Sequence, residues 1–146
     1  MSTKRHSKGH RIELARTTDG FMRRLHAGIQ EVASVRDTER VGPLGGMVLM
    51  AVEEFQPVSM GQLVVHLARD KAQMTRIIHQ LETKGLILRT QSKADARSTL
   101  VNLTGKGKCV VGDLQNIVGE VVEAQLAGLD EEERVQLLRL MRKAIG

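Results

Sequence analysis

The sequence predicts a mainly helical protein of the α+β class, in which one short β-hairpin interrupts a series of helices. Apolar residues recur at helical spacing through most of the 146 residues, and two β-prone runs replace that spacing between residues 86 and 103. Helix-capping and helix-breaking residues stand at the predicted boundaries. A chain of 146 residues is long enough to bury a core as one domain.

The composition excludes several classes of protein. Hydrophobic residues make up 41% of the chain and charged residues 27%, as in folded globular proteins. The aromatic residues are Phe21 and Phe55, without Trp or Tyr, so the chain lacks the stacking platforms of single-stranded nucleic-acid binders. No apolar run approaches the roughly 18–20 residues that span a membrane, and the polar start lacks the apolar segment of a secretory signal. We therefore expect a soluble cytoplasmic protein with no membrane partner.

Positive charge is concentrated in two blocks. Residues 1–11 contain four basic and no acidic residues, and residues 69–97 contain seven basic against three acidic residues. The first block is expected to be a flexible basic tail, because charge runs of this kind are usually solvated. The second block coincides with predicted regular structure, and positive charge concentrated on an ordered surface indicates a polyanionic partner.

Two helices are predicted before the second basic block. Pro43 takes a first-turn position of the shorter helix, which extends through residues 44–55. The longer helix covers residues 12–35 and has a narrow apolar seam with spacings of three and four residues, formed by Met22, Leu25, Ile29 and Val32.

A helix-turn-helix is predicted next. Ser59 with Gln62 forms a capping box that opens one helix, and Asp70 with Gln73 opens a second helix after a break of about three residues. Gly85 ends the second helix. The runs LILRTQ and STLVNL follow, joined by the polar segment SKADAR, which is the pattern of a hairpin. A hairpin directly after a helix-turn-helix is a wing, so the sequence predicts a winged helix-turn-helix.

Two further helices follow the hairpin. Thr104 caps a long helix that stops before Gly128, and Asp130 with Glu133 opens the last helix. The apolar stripes of the first helix and the last two exceed what a winged domain of about 60 residues can cover. A monomer would expose them as a large apolar patch, so we expect a homodimer with a helical dimerisation layer.

Four segments stand in order between residues 57 and 107: PVSMGQL, DKAQMTRIIHQLETKGLILR, Asp95 with Arg97, and LTGKG. Together they resemble the MarR family of bacterial winged helix-turn-helix transcription regulators. Two positions depart from the family pattern: Asp70 stands where a hydroxyl residue is more common, and Ala96 where a second basic residue is frequent. The first places a carboxylate near phosphates, and the second weakens the wing contact.

The resemblance implies a single domain over residues 12–146. Its winged helix-turn-helix lobe lies at about 43–103, and its dimerisation helices at about 12–35 and 104–146. It also implies a regulator, expected to be a repressor, that binds double-stranded DNA at a pseudo-palindromic operator. Family ligands are often aromatic acids or phenols, held in a crevice between the two layers. The sequence specifies no particular effector, operator, target gene or sign of regulation, and it calls for no cofactor.

The outer face of the second helix of the motif suits the major groove. Ala72 and Thr75 are small enough for close approach, and their methyl groups can pack on thymine methyls. Gln73 has the donor and acceptor suited to adenine, and Arg76 has the fork suited to guanine. His79 can donate to bases or to phosphate. We predict that these five residues contact DNA.

Further DNA contacts are predicted beside that helix. Arg69 and Lys71, at the helix start, are placed for phosphate contacts, which position a protein without sequence discrimination. In the wing, Arg97 resembles the family arginine that enters the minor groove, and Asp95 resembles the acid that orients it. Lys93 completes the predicted set.

Other candidate sites are weaker. His6 and His10 have metal-compatible spacing but stand in the tail, so no metal site is expected. His66 is expected to be a partly buried packing residue, and Cys109 a buried structural thiol whose redox role stays open. The chain shows no nucleophile–base pattern, phosphate-binding glycine loop or paired carboxylates, so an enzyme is not expected.

Two alternatives to a sequence-specific regulator remain. One is a nucleoid-type protein that binds DNA with little specificity, and its ratio of specific to nonspecific affinity would fall below the roughly 10³ that regulators reach. The other is a protein-interaction module with a winged-helix fold, which would leave a DNA column at low salt.

Overall fold

The computed structural model describes residues 3–146, with side chains from residue 8 onward. Helices and a small sheet over these residues confirm the predicted α+β class. The elements are α1 (Thr3–Arg36), α2 (Gly42–Phe55), β1 (Val58–Ser59), α3 (Met60–Leu67), α4 (Lys71–Thr83), β2 (Ile87–Gln91), β3 (Thr99–Leu103), α5 (Gly105–Gln125) and α6 (Glu131–Ile145).

The chain forms two compact units. The central unit is Val32–Ile117, and the terminal unit combines the chain up to Glu31 with Val118–Gly146. The predicted lobe at 43–103 lies inside the central unit. The predicted division at residue 104 falls inside that unit as well, because the first turns of α5 pack on its core.

The core of the central unit is built from α2, α3, α4 and the sheet. Helix α4 contributes Met74, Ile78 and Leu81, which are buried as its apolar periodicity predicts, while Ile77 is half-buried. The other fully buried large side chains include Val48, Leu49, Val52, Val58, Leu63, Leu86, Ile87, Val101 and Val111. Such a core holds α4 by one face and leaves its other face outside.

The sheet has three strands in the order β1-β3-β2, all antiparallel. The hairpin of β2 and β3 is confirmed, with Ile87 opposite Leu103 and Gln91 opposite Thr99. Strand β1 was not predicted. It has two residues, of which Val58 pairs with Val101, and two residues are too few for an alternating pattern to be visible in sequence.

The helix starts follow local capping chemistry. At α3, Ser59 Oγ accepts from the Gln62 N–H at 3.2 Å and Gln62 Oε1 accepts from the Ser59 N–H at 2.9 Å, which confirms the capping box. At α2, both carboxylate oxygens of Asp37 accept backbone N–H groups, from Val41 at 3.0 Å and from Gly42 at 2.9 Å. That cap was not predicted, and it starts α2 two residues before residue 44.

Helix α1 begins at Thr3 rather than near residue 12. Residues 3–11 therefore belong to the same helix as the residues that follow. The segment contains Gly9 but no proline, the residue that most strongly breaks a helix. The His6 side chain lies outside the described part of the chain, and the assignment of a separate tail stays a prediction.

The terminal unit contains most of α1, the end of α5 and all of α6. Helices α1 and α5 approach closely at Gly28, where an added Cβ would lie 2.7 Å from Val121 Cγ1. The guanidinium of Arg134 donates to the carbonyls of Leu126 and Leu129 at 3.2 and 3.1 Å, which fastens the turn before α6. In the described chain α6 has no buried residue. It exposes Val135, Leu138, Met141 and Ile145.

Candidate nucleic-acid interface

The candidate interface begins with helix α4, which we call the recognition helix. Of the capping box predicted for Asp70 and Gln73, the structure shows the half in which the Asp70 carboxylate accepts the Gln73 N–H, at 2.8 Å. A turn of three residues separates it from α3, and within that turn Ala68 adopts a left-handed backbone with φ of +48°. The helix-turn-helix spacing is therefore confirmed.

The outer face of the recognition helix is exposed to solvent. Gln73 is half-buried, so it lies at the edge of that face rather than at its centre. The exposed members of the predicted contact set on or before this helix are Arg69, Lys71, Ala72, Thr75, Arg76 and His79. Their role in DNA contact stays a prediction.

Thr75 presents mainly its methyl group. Its hydroxyl donates to the Lys71 carbonyl at 2.8 Å, one turn back along the helix. The hydroxyl proton is thus engaged within the helix. Together with the methyl of Ala72, the Thr75 methyl makes the early part of the outer face small and apolar.

The recognition helix ends in a tight link to the wing. Gly85 has φ of +70°, which only glycine adopts readily, and the Leu86 N–H donates to the Leu81 carbonyl at 3.0 Å. Strand β2 starts at the next residue, Ile87. The short link fixes where the strand leaves the helix.

An ion pair crosses from the recognition helix to the wing. The Arg89 guanidinium donates to the Glu82 carboxylate. This hydrogen bond lowers the pKa of Glu82 below its ordinary value of 4.5 and raises the pKa of Arg89. A lowered carboxyl pKa means that the pair stabilises the fold above about pH 4.5 and is lost as the pH falls through the lowered value. The pair is therefore complete at neutral pH.

The wing tip between β2 and β3 is held by backbone hydrogen bonds. Asp95 Oδ1 accepts the backbone N–H of Arg97 at 3.0 Å, and the Asp95 carbonyl accepts the Ser98 N–H at 2.9 Å. The Asp95 carboxylate thus shapes the turn that carries Arg97, as a short carboxylate two residues earlier can do. Its role in orienting the Arg97 side chain stays a prediction. Lys93, Asp95 and Arg97 are all exposed.

A polar cluster that the sequence analysis missed fixes the end of the recognition helix. Lys84 Nζ donates to the Glu39 carbonyl at 2.7 Å, and Lys106 Nζ contacts the Glu39 carboxylate at 2.9 Å. Thr104 Oγ1 donates to the Gly85 carbonyl at 2.6 Å. The partners are 19 to 67 residues apart, so only the predicted cap at Thr104 had a local signal.

Gly107 is a second missed feature. It is buried in the first turn of α5, and a Cβ added there would lie 1.9 Å from the Leu86 carbonyl oxygen. The Thr104 hydroxyl accepts the Gly107 N–H at 2.9 Å and caps α5 as predicted. The segment LTGKG thus combines a cap with a glycine that allows α5 to touch the link after the recognition helix.

Two side-chain predictions outside the interface are wrong. Cys109 is exposed rather than buried. His66 is exposed rather than partly buried, and its ring stacks on Phe55 with centroids 4.1 Å apart.

Among the described residues, no group of three or more His, Cys, Asp or Glu side chains is placed to hold a metal ion. None of the described helices combines the length and apolar character needed to cross a membrane.

A capped recognition helix, the preceding helix and a paired wing define a winged helix-turn-helix protein. The model of the MarR family matches residues 46–99, which include α3, the recognition helix, β2 and the first residue of β3. Over this segment the chain is similar to the MarR family.

A curated relative matches about half of the chain in sequence. The transcriptional regulator SarZ of Staphylococcus epidermidis is 29% identical over 80 residues, which are 55% of this chain and 51% of SarZ. The chain thus spans about half the length of this curated relative.

Solved structures match over more of the chain. The crystal structure of a cysteine-to-serine mutant of E. coli MarR has a TM-score of 0.78 at 22% identity, and covers 91% of this chain and 96% of its own. The same mutant complexed with operator DNA has a TM-score of 0.72 at 22% identity, over 94% and 96%. Bordetella bronchiseptica BpsR, in a structure on regulation of its DNA binding by 6-hydroxynicotinic acid, has a TM-score of 0.69 at 25% identity, over 89% and 91%. These matches establish the fold.

Proposed function

We propose that the protein is a sequence-specific transcription regulator that binds double-stranded DNA as a homodimer at a pseudo-palindromic operator. The observation that carries the proposal is the recognition helix, which buries Met74, Ile78 and Leu81 and exposes a basic outer face with small residues at its start. Such a helix can enter the major groove, which is about 12 Å wide. No catalytic step is part of the proposal.

The roles of the predicted contact residues follow from their chemistry. Arg76 has a guanidinium that can make two hydrogen bonds to guanine, and Gln73 has an amide suited to adenine. His79 can donate to a base or a phosphate. Phosphate contacts are assigned to the basic residues at the edges of the helix and in the wing, which are Arg69, Lys71 and Lys93. Arg97, at the tip of the wing, is assigned to the minor groove.

Repression controlled by a small aromatic acid or phenol is the regulatory part of the proposal. BpsR supports it, because its DNA binding is regulated by 6-hydroxynicotinic acid. The mutant of E. coli MarR, which was crystallised with operator DNA, supports operator binding by this fold. Binding two half-sites about one helical turn apart is expected of a twofold dimer.

Replacing Arg76 with alanine should relax base preference at one position in each half-site. The cost there should be about 1–3 kcal/mol, because a bidentate guanine contact is lost. Arg97→Ala should instead weaken binding to many sequences, since minor-groove insertion depends on groove width more than on base identity. Operator fragments are first selected from genomic DNA, and both variants are then titrated against the operator and a scrambled duplex over a salt series.

The titrations discriminate among three functions. Equal loss on both duplexes for Arg76→Ala, with loss of discrimination for Arg97→Ala, would reverse the two assigned roles. Similar affinity of the unmodified protein for both duplexes would indicate a low-specificity nucleoid-type protein. Elution from a DNA column at low salt, despite the formal net charge of +5, would indicate a protein-interaction module.

Thr75 is expected to distinguish thymine from uracil at one operator position. Its hydroxyl is bonded to the Lys71 carbonyl, so its methyl is the group available to a thymine methyl. Burying one methyl contributes about 0.8 kcal/mol, or roughly fourfold in affinity. We expect Thr75→Ser to abolish the penalty for uracil at that position, whereas Thr75→Val keeps it. Affinities for operators with single thymine-to-uracil changes provide the measurement, and an unchanged uracil penalty in Thr75→Ser would exclude the contact.

A further inference from the structure

The ion pair between Glu82 and Arg89 joins the two elements that are assigned to different grooves of DNA. Glu82 lies in the last turn of the recognition helix, and Arg89 is the third residue of β2. Both side chains are about one third exposed, at 33% and 37%. The pair therefore crosses the link at Gly85, the position where the wing could bend relative to the helix.

The contacts continue from Arg89 to the wing tip. Arg89 lies opposite the buried Val101 on β3, and Gln91, two residues along β2, shares its face of the hairpin. The Gln91 side-chain amide donates to the Ala96 carbonyl at 3.3 Å. Ala96 directly precedes Arg97. Two polar contacts, with the backbone of β2 between them, thus connect the recognition helix with the turn that carries Arg97.

We propose that Glu82 and Arg89 are positioning residues, which fix the wing against the recognition helix so that Arg97 reaches the minor groove while α4 occupies the major groove. The inference rests on the proposed DNA-binding function. Neither residue has to touch DNA for it. Holding the two contact elements at a set separation before binding lowers the entropy that association would otherwise cost.

If Glu82 acted only through its charge, removing that charge would have the opposite effect on DNA affinity. It is the acidic residue within the sequence of α4, KAQMTRIIHQLET, on a helix that faces a polyanion. If the carboxylate only added negative charge, its removal would tighten DNA binding, because repulsion from phosphates would fall. If it positions the wing, its removal weakens binding. The sign of the change therefore separates the two roles.

The first experiment measures that sign. Glu82→Gln should weaken operator binding by about 5-fold or more, within the range of coupled contacts. Glu54→Gln, a matched change at an exposed acid on α2, should leave binding unchanged or slightly tighter. Thermal unfolding of both variants monitors the fold, and affinities are compared only at temperatures at which both are folded.

The second experiment asks whether the pair acts through Arg97. Arg97→Ala should weaken binding strongly in the unmodified protein but by less than about 3-fold in the Glu82→Gln background, since the wing is already displaced there. Arg76→Ala, on the recognition helix itself, should have the same fold-effect in both backgrounds. Affinities for one operator complete both double-mutant cycles.

The outcomes separate this inference from the proposed function. If Arg76→Ala and Arg97→Ala both leave DNA binding unchanged, the proposed function fails and the inference fails with it. If both weaken binding while Glu82→Gln is neutral or tighter, or if Glu82→Gln and Arg97→Ala are independent, the positioning role alone is overturned. The positioning role is supported if Glu82→Gln weakens binding and is coupled to Arg97→Ala but not to Arg76→Ala.

Discussion

Replacing Gly107 with alanine is expected to destabilise the central unit by on the order of 3 kcal/mol or more, as forced overlap in a packed interior does. The added Cβ would lie 1.9 Å from the carbonyl oxygen of Leu86 and 3.0 Å from its carbonyl carbon. These are backbone atoms, which cannot rotate away as the end of a flexible side chain can. The Leu86 oxygen also accepts the Thr104 N–H at 3.0 Å, and the Leu86 side chain is fully buried.

A second glycine in the same helix provides the control. An added Cβ at Gly112 would have no heavy atom of a neighbouring group within 4 Å. Gly112→Ala should therefore stabilise the protein by about 0.5–1 kcal/mol, the usual gain in a helix interior. Urea unfolding of both variants gives the two free energies. Equal midpoints for Gly107→Ala and the unmodified protein would mean that α5 does not approach Leu86 as closely as the structure indicates.

The parts of the fold that the sequence predicted are those set by local patterns. The buried face of α4 repeats every three to four residues, and the caps at Ser59 and Asp130 act on N–H groups three residues away. The hairpin was equally local, because its strands are separated by seven residues. Strand β1 depends on pairing with β3, some 40 residues later, and no local pattern encodes that contact.

In the candidate interface, too, features set by local patterns were predicted and features set by long-range packing were not. Exposure of Arg76, His79 and Arg97 followed from helix periodicity and from the turn between two strands. The pairing of Glu82 with Arg89 and the contacts of Lys106 depend on how the elements pack, so no local pattern in the sequence indicates them.

The exposure of Cys109, which was wrongly predicted to be buried, is indicated by the residues on its side of the helix. Lys106 and Asp113 lie three residues before it and four residues after it, on the same side of α5, and both are exposed. The apolar residues that suggested burial, Val110 and Val111, belong to the other side of the helix. Adjacent residues on a helix point about 100° apart, so sequence neighbours were the wrong guide to the surroundings of the thiol.

The largest expected effect on DNA binding comes from the apolar face of α6. Leu138 and Met141 are 49% and 47% exposed in the single chain. Changing both to aspartate should therefore leave the fold of one chain intact but place unpaired charges in the proposed dimer interface. We expect a monomer at micromolar concentration, measured by analytical ultracentrifugation. Without its partner, the chain binds one half-site at a time, and affinity for the full operator should fall by about 10²–10⁴-fold.

A matched aspartate on the opposite side of α6 tests whether the effect belongs to the apolar face. Gln136 is exposed and lies about 160° around the helix axis from Leu138 at 100° per residue. Gln136→Asp should leave the dimer and operator affinity unchanged. The predicted affinity loss should also depend on the DNA, because a duplex with a single half-site gains nothing from a second subunit. If the Leu138→Asp, Met141→Asp variant sediments as a dimer and binds the operator normally, α6 is not part of the dimer interface. If the unmodified protein is monomeric at micromolar concentration, the proposed homodimer is wrong.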